Sequence, residues 1–146
     1  MRASWIALAA VAALIVAAVA FGRQPAVALA LAAPSFVLLA INLFVIGRFA
    51  AGPAGSLVLG MDRQVAKWGY LLIAIVAYAW LVLTVANDWL PQKSAAAALT
   101  VALSFPAGRD LIEYADDPEN LAPAVKRSLI AVLAHGVVLA IALAFF

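Results

Sequence analysis

Five apolar segments separated by short polar links are the feature that most restricts the fold of this chain. They extend over Trp5 to Phe21, Ala26 to Ile46, Gly69 to Ala86, Ala95 to Ala107 and Leu129 to Phe146. A helix needs ~20 apolar residues to cross the ~30 Å hydrocarbon core of a bilayer. Because 68% of the residues are hydrophobic and 11% are charged, there is too little polar surface to cover a water-soluble globule. The sequence predicts an all-α, polytopic transmembrane helical bundle of about five spans, with residues 1–146 forming a single domain.

The fourth segment is the shortest, since its uninterrupted apolar run covers only about 20 Å as a helix. It becomes long enough if the helix continues through Leu111, Ile112 and Tyr114, with the Arg109 side chain reaching back to the headgroups. Basic residues favour this crossing, because five spans place seven of them on one side and two on the other, whereas four spans place four against five. The larger group is Arg2, Arg48, Arg63, Lys67, Arg109, Lys126 and Arg127, and the smaller is Arg23 and Lys93. Since cytoplasmic links carry the Lys/Arg excess, we expect a multi-pass protein of the cell inner (cytoplasmic) membrane with its N-terminus inside.

The first segment has a second interpretation. Arg2 precedes an alanine-rich apolar core, and Ala18-Val19-Ala20 resembles a signal-peptide cleavage site. We expect a retained anchor helix, with cleavage as the alternative.

Small residues recur at four-residue spacing and predict where helices pack, because close backbone approach supplies the contacts that hold helices together in lipid. We expect three packing faces. They are Ala9, Ala13 and Ala17; Gly136, Ala140 and Ala144; and the weakly polar set Ala96, Thr100, Ser104 and Gly108, which should face inward.

Few polar side chains lie at membrane depth, where an unpaired polar group costs several kcal/mol. Asn42 lies near the inner end of the second segment and His135 about two turns into the fifth. Each is interpreted as an interhelical hydrogen bond that orders the bundle, with ligand binding as the alternative. Thr84 should bond to its own helix backbone. Since no Asp, Glu, Lys or Arg lies in the middle of the first, second, third or fifth segment, a proton pump or coupled antiporter is disfavoured.

Charge concentrates in the two inner links. The first, Gly47 to Trp68, contains Gly52, Pro53, Gly55 and Gly60, which predict a flexible start, and then an interfacial helix with Met61, Val65 and Trp68 on one face. The second contains Arg109 and Tyr114 among carboxylates that should be mostly solvated. The candidate ligand-binding residues are Asn42, Arg48, Arg109, Tyr114 and His135. No catalytic residue and no metal ligand set emerges.

The order of short segments after Asn42 is distinctive. Alanine-, glycine- and leucine-rich stretches follow at Arg48 to Gly52 and Ser56 to Gly60, and Asn120 to Lys126 leads into the last apolar segment. This order resembles the C-terminal half of UbiA-type intramembrane prenyltransferases, which also runs five spans from the cytoplasm to the outside. In that family an Asn in the place of Asn42 opens an Asp-rich motif that binds magnesium diphosphate. Here Leu43 to Gly47 replaces the aspartates, so the resemblance implies a degenerate half-bundle that holds an isoprenoid tail or pairs with a second half without transferring the prenyl group.

We therefore expect a non-catalytic membrane bundle that acts as a small subunit of a membrane complex or as a lipid- or isoprenoid-binding module. Its partners would be membrane lipid or isoprenoid, and other membrane subunits or a second copy. The alternatives are a UbiA-like prenyltransferase-related enzyme or half-enzyme, and a small-solute transporter. Nucleic acid is not expected as a partner, since the nine basic residues are scattered rather than clustered. No cofactor is expected, because the chain has no cysteine and one histidine.

The topology is testable because the chain contains no native cysteine. Single cysteines at Ser128 and Gln92 should react with a membrane-impermeant maleimide from opposite sides of the membrane. Reaction of both from the same side would contradict the five-span topology.

Overall fold

A computed structural model describes residues 2–51, 57–58 and 61–146, and the side chains of residues 57–58 and 61–63 are outside this description. Within these residues five α-helices form the bundle. They are α1 (Arg2–Phe21), α2 (Ala26–Ala50), α3 (Arg63–Ala86), α4 (Val101–Glu113) and α5 (Ala122–Phe145). A 3₁₀ segment, Gln92–Thr100, precedes α4, and a 3₁₀ turn, Pro118–Leu121, precedes α5. Five helical crossings are long and apolar enough to span a membrane, which confirms the predicted all-α transmembrane architecture.

Tight links at one end of the bundle make α1 and α2, and α3 and α4, antiparallel neighbours. The chain leaves α1 through Gly22 and Arg23, which has a positive φ of 53°, and Pro25 precedes the first residue of α2. After α3, Asp88 has a φ of 57°, and the Trp89 N–H bonds back to the Thr84 carbonyl at 2.9 Å. The opposite end carries the seven basic residues named above and is called the basic end.

The first inner link differs from its prediction. Val65 and Trp68 are exposed, but they belong to the first turns of α3, which begins at Arg63 rather than at Gly69. Met61 lies before the helix, in the two-residue strand β2 (Met61–Asp62), which pairs antiparallel with β1 (Leu57–Val58). The prediction of a separate interfacial helix is therefore wrong. The predicted flexible positions Gly52, Pro53, Gly55 and Gly60 lie outside the described residues, as does most of the stretch from Ser56 to Gly60.

The fourth crossing reaches across because its helix continues beyond the apolar run at both ends, and its first half is a 3₁₀ helix. Such a helix rises ~2.0 Å per residue, against ~1.5 Å in an α-helix. The nine residues Gln92–Thr100 followed by the 13 residues of α4 therefore reach roughly 37 Å. The apolar run that is short as an α-helix thus lies inside a crossing of sufficient length.

The same 3₁₀ segment corrects one predicted packing face. Its repeat of three residues per turn aligns Ser94, Ala97 and Thr100, which are buried, whereas Ala96 is exposed. Thr100 and Ser104 lie on the inward face as expected, and Gly108 packs against the side chains of Leu71 and Tyr70. The four-residue spacing holds from Thr100 onward, where the chain becomes α-helical.

α1 lies at the periphery and packs mainly against α5. Gly136 of α5 faces the Val11 side chain and the Phe36 ring, and Ala140 is buried behind it, so the predicted face Gly136, Ala140 and Ala144 is confirmed. The predicted face Ala9, Ala13 and Ala17 is wrong, because all three are exposed. The buried side of α1 is formed instead by Leu8, Ile15, Ala18 and Val19, whose larger side chains fill the seam.

Close packing at Gly136 predicts a destabilising Gly136→Ala substitution. An added Cβ would lie 2.8 Å from Phe36 Cε2 and against Val11, and overpacking of this kind costs about 1–3 kcal/mol. Gly69→Ala is the matched control, since a Cβ at Gly69 meets nothing within 4 Å and alanine favours the helix by about 1 kcal/mol. Thermal unfolding in detergent should show the Gly136 variant melting below the native chain and the Gly69 variant at or above it. Equal melting of the two variants would contradict the tight α1–α5 seam.

Candidate functional site

Five polar side chains meet in the middle of the bundle and form what we call the central polar network. They are Ser35, Tyr78, Thr100, Ser104 and His135, and all five are buried. Each comes from near the middle of its crossing: α2, α3, the 3₁₀ segment, α4 and α5 each supply one. The network therefore ties four of the five crossings together at membrane depth, and α1 contributes nothing to it.

Three hydroxyl groups in the network form a directional chain. The Thr100 hydroxyl donates to the Ala97 carbonyl at 2.8 Å, so it can only accept from Tyr78, whose hydroxyl lies 2.9 Å away. Tyr78 in turn accepts from Ser104 at 2.8 Å, since a hydroxyl has a single proton to donate. The chain of donors thus runs from Ser104 through Tyr78 and Thr100 to the Ala97 carbonyl.

His135 reaches the same carbonyl from α5. Its Nδ1 lies 3.2 Å from the Ala97 oxygen, and because a carbonyl oxygen only accepts, Nδ1 carries the proton. Nε2 is then an acceptor, and the Ser35 hydroxyl, 2.8 Å away, directs its single proton to Nε2 rather than to the Ala32 carbonyl at 3.3 Å. The Tyr78 ring packs edge-on against the imidazole, with the ring centroids 5.9 Å apart. The Ala97 carbonyl and the Tyr78 ring together hold the imidazole in one tautomer and one orientation.

The Ala97 carbonyl accepts side-chain donors in addition to its backbone bond. In the 3₁₀ segment the Val101 N–H bonds to Ala98 rather than to Ala97, because the backbone of such a helix pairs residues three apart. The Ala97 oxygen also accepts the Thr100 hydroxyl and the His135 Nδ1–H, so one carbonyl joins the fourth crossing to α5.

The pairing of Ser35 with His135 has the geometry of a nucleophile and its general base, with the carbonyl of Ala97 as the group that orients the imidazole. However, Ser35 and His135 are both 0% exposed. Neither lines any of the surface grooves described below. A substrate has no access to this pair in the observed conformation, and the arrangement serves to join helices.

Asn42 lies in a second, separate network. Its Nδ2 donates to the Tyr70 carbonyl at 3.0 Å, and the Tyr70 hydroxyl donates to Ser128 Oγ at 3.0 Å, so α2, α3 and α5 are joined nearer the basic end. Asn42 and His135 both make the expected interhelical hydrogen bonds, but Asn42 belongs to a different network from Thr100, Ser104 and His135. Asn42 Oδ1 is buried and accepts no hydrogen bond from the described residues.

The other three candidate residues lie at the basic end. Arg48 is exposed in the last turn of α2. The Arg109 guanidinium is 77% exposed, and its nearest carboxylate oxygen, Asp110 Oδ1, lies 3.8 Å away. Tyr114 follows α4, and the adjacent Glu113 carboxylate raises the pKa of its phenol, so it stays neutral near pH 7. Within the described residues no hydrogen bond or ion pair joins these three side chains into one site, and no group of three or more His, Asp or Glu is placed to hold a metal.

Sequence reasoning missed four partners: Ser35, Tyr70, Tyr78 and Ser128. Ser35 and Tyr78 are only weakly polar and stand in otherwise apolar segments, whereas Tyr70 and Ser128 lie at the edges of such segments. Position supplies one signal for Ser35, because the preceding Pro34 opens the helix backbone beside it. The Trp80 indole uses the same opening, since its Nε1 donates to the Leu31 carbonyl at 2.8 Å. The prediction for Thr84 is confirmed by its bond to the Leu81 carbonyl at 2.8 Å.

Fold and networks together define a multi-pass helical membrane protein whose polar interior groups bond to one another. Comparison of the chain with models of protein families, with curated proteins and with solved structures found no match.

The hydrogen bond between Ser35 and His135 can be measured by a double-mutant cycle. His135→Leu should lower the free energy of unfolding by about 0.5–2 kcal/mol, the scale of interhelical hydrogen bonds in lipid. Ser35→Ala should cost less once His135 is already Leu, because the bond can be lost only once. Thr84→Val is the control, since its hydroxyl bonds only within α3. Strictly additive costs for the two substitutions would show that they do not interact.

Proposed function

We propose that this protein is a non-catalytic membrane bundle that binds the hydrocarbon chains of lipids or isoprenoids on its outer surface. The observation that supports the proposal is that polar and apolar side chains occupy different parts of the bundle. Within the described residues most buried polar side chains bond to groups inside the bundle, the exceptions being Ser94 Oγ and Asn42 Oδ1, whereas the grooves on the outside are almost entirely apolar. Such a surface can hold a hydrocarbon chain by complementary shape, and it presents no reactive group.

The groove between α1 and α5 is the best example. It has a volume of about 360 Å³, which is within the range of ligand pockets, and it opens toward lipid. Its lining residues are Leu14, Ala17, Ala18, Phe21, Ala140, Ile141, Ala144 and Phe145. Small residues form its floor and two aromatic rings, Phe21 and Phe145, lie 5.8 Å apart at one end. A flexible or branched hydrocarbon chain fits this shape.

Other grooves on the surface are also lined mainly by apolar residues. One, of about 280 Å³, lies beside Trp5 and Phe44, whose rings are 6.4 Å apart. Another, of about 240 Å³, lies beside Lys93 and Phe146, where the Lys93 ammonium stands 5.7 Å from the ring centroid. These positions at the ends of the bundle suit lipids that present a headgroup at the interface and a chain below it.

A role as a subunit of a membrane complex is the second candidate, and the outer face of α1 favours it. Ala9, Ala13 and Ala17 are exposed at a spacing that lets another helix approach closely. The same face would serve self-association. The two candidate functions are compatible, because the alanine face and the groove meet only at Ala17.

The proposed setting is the cell inner membrane, with the basic end in the cytoplasm. Seven of the nine basic residues belong to that end, and a cytoplasmic excess of Lys and Arg is the rule for such proteins. The UbiA-like order of segments remains a proposal as well. It is compatible with an isoprenoid as the bound chain, and the absence of aspartates at Leu43 to Gly47 favours binding without prenyl transfer.

Blocking one groove tests the proposal. Ala17→Trp should fill the α1–α5 groove and remove the lipid or isoprenoid that the native chain retains through purification in mild detergent. Ala13→Trp is the matched control, since Ala13 is exposed one turn earlier and does not line the groove. Native mass spectrometry and lipid extraction give the bound species for each variant, and both variants should melt with the native chain.

Equal lipid retention by both tryptophan variants would contradict binding in this groove. A second polypeptide in the native mass spectrum would favour the subunit role. Magnesium-dependent turnover of a prenyl diphosphate by the purified chain would contradict the non-catalytic proposal, which expects no product.

A further inference from the structure

A groove at the basic end has an arginine side chain as part of its wall. Its lining residues are Leu71, Phe105, Pro106, Arg109 and Ile112, and its volume is about 400 Å³. Phe105, Arg109 and Ile112 follow one another at four- and three-residue spacing, so they share one face of α4. Leu71 closes the groove from α3.

The charge of Arg109 is poorly compensated within the described residues. Asp110 lies beside it, but Asp110 Oδ2 already pairs with Arg127 Nη1 at 2.6 Å, whereas Arg109 Nη2 is 3.8 Å from Asp110 Oδ1. Arg127 ties α5 to α4 and takes most of that carboxylate's capacity. Glu113 is the other acid on this face, one turn further along the helix, and it interacts with Tyr114. The Arg109 guanidinium therefore lies 77% exposed with room for another anion.

Depth decides what kind of anion fits. Arg109 lies four residues before the last residue of α4, about 6 Å from the helix end, which places its long side chain within reach of the phosphate level. Phe105 lies one turn deeper, toward the middle of the membrane. A phosphate on Arg109 and a hydrocarbon chain along Phe105 and Leu71 are thus parts of one elongated, membrane-oriented ligand.

We propose that this groove binds an anionic phospholipid, with the headgroup phosphate on Arg109 and one acyl chain against Leu71, Phe105, Pro106 and Ile112. The proposal rests on the proposed function and adds a headgroup preference to it. Phosphate is the natural partner of an arginine at a lipid-facing interface, because guanidinium N–H groups form charge-assisted bonds to its oxygens. A zwitterionic lipid offers the same phosphate beside a cation that opposes the arginine, so it binds more weakly.

The test compares two lipids at two positions in full-length protein reconstituted in vesicles. The vesicles contain phosphatidylcholine with a minor fraction of phosphatidylglycerol, and the acyl chains of one lipid at a time carry bromine, a fluorescence quencher. Leu72→Cys places a small fluorophore beside the groove, since Leu72 is exposed, follows the lining residue Leu71 and does not itself line the groove. Leu83→Cys is the matched position, since Leu83 is exposed on the same helix, lies near the other end of the third apolar segment and lines none of the grooves described here.

At Leu72, phosphatidylglycerol should associate about fivefold more strongly than phosphatidylcholine, as one basic side chain at a membrane surface provides. At Leu83 the two lipids should quench nearly alike. Arg109→Gln should reduce the ratio at Leu72 to that at Leu83, whereas Lys126→Gln, which removes one exposed charge from the same end, should leave it unchanged. Glu113→Gln should raise it by removing a competing carboxylate.

Equal ratios at Leu72 and Leu83 in the otherwise native chain would overturn the proposal, and this comparison changes none of the residues that line the groove. A preference at Leu72 that survives Arg109→Gln would overturn it as well. Either result leaves the binding of hydrocarbon chains in the α1–α5 groove intact, because the Ala17→Trp experiment reports on that groove alone. If neither the lipid preference at the Arg109 groove nor lipid retention in the α1–α5 groove is observed, the proposed function itself is overturned.

Discussion

The carbonyl of Ala97 is the acceptor on which the interior of this bundle depends. Hydrocarbon offers no hydrogen bonds, so each polar side chain at membrane depth must find its partner within the protein. One line of donors reaches Ala97 through Ser104, Tyr78 and Thr100, and another reaches it through His135. Donors from three crossings thus converge on one backbone oxygen, directly or through a second hydroxyl. This convergence fixes α3 and α5 against the fourth crossing.

Hydropathy alone predicts most of this fold, because the length and apolar character of a membrane span are set by the bilayer rather than by neighbouring helices. The link Asn87 to Pro91 ends α3 as its turn-forming residues indicate, and α5 begins earlier than its apolar run because Pro123 is tolerated in a first helical turn. The 3₁₀ segment is beyond this reasoning. Its residues, alanine above all, suit an α-helix, and nothing in its sequence indicates the tighter winding.

The candidate site was predictable to the extent that its members are strongly polar. Thr100, Ser104 and His135 fall together because a buried hydroxyl or imidazole has few ways to be satisfied in lipid. The separation of Asn42 from them could not be inferred, since its partner is the backbone carbonyl of Tyr70 and every residue carries a carbonyl. Ser35 and Tyr78 are similar cases, as their roles depend on which helices are neighbours. Arg109 shows the converse: its basic character indicated binding, but the groove beside it comes from Leu71 on another helix.

The peripheral position of α1 has a consequence for how the protein is made. α1 leaves the ribosome first, yet its main packing partner, α5, begins about a hundred residues later, a delay of roughly 5–20 s at ordinary rates of synthesis. During that interval lipid tails cover Leu8, Ile15 and Val19 as well as protein would, because helix association in a bilayer has little hydrophobic drive. α1 can therefore remain in the membrane without aggregating. It packs into the bundle once α5 is inserted, because Gly136 leaves room for the Val11 side chain.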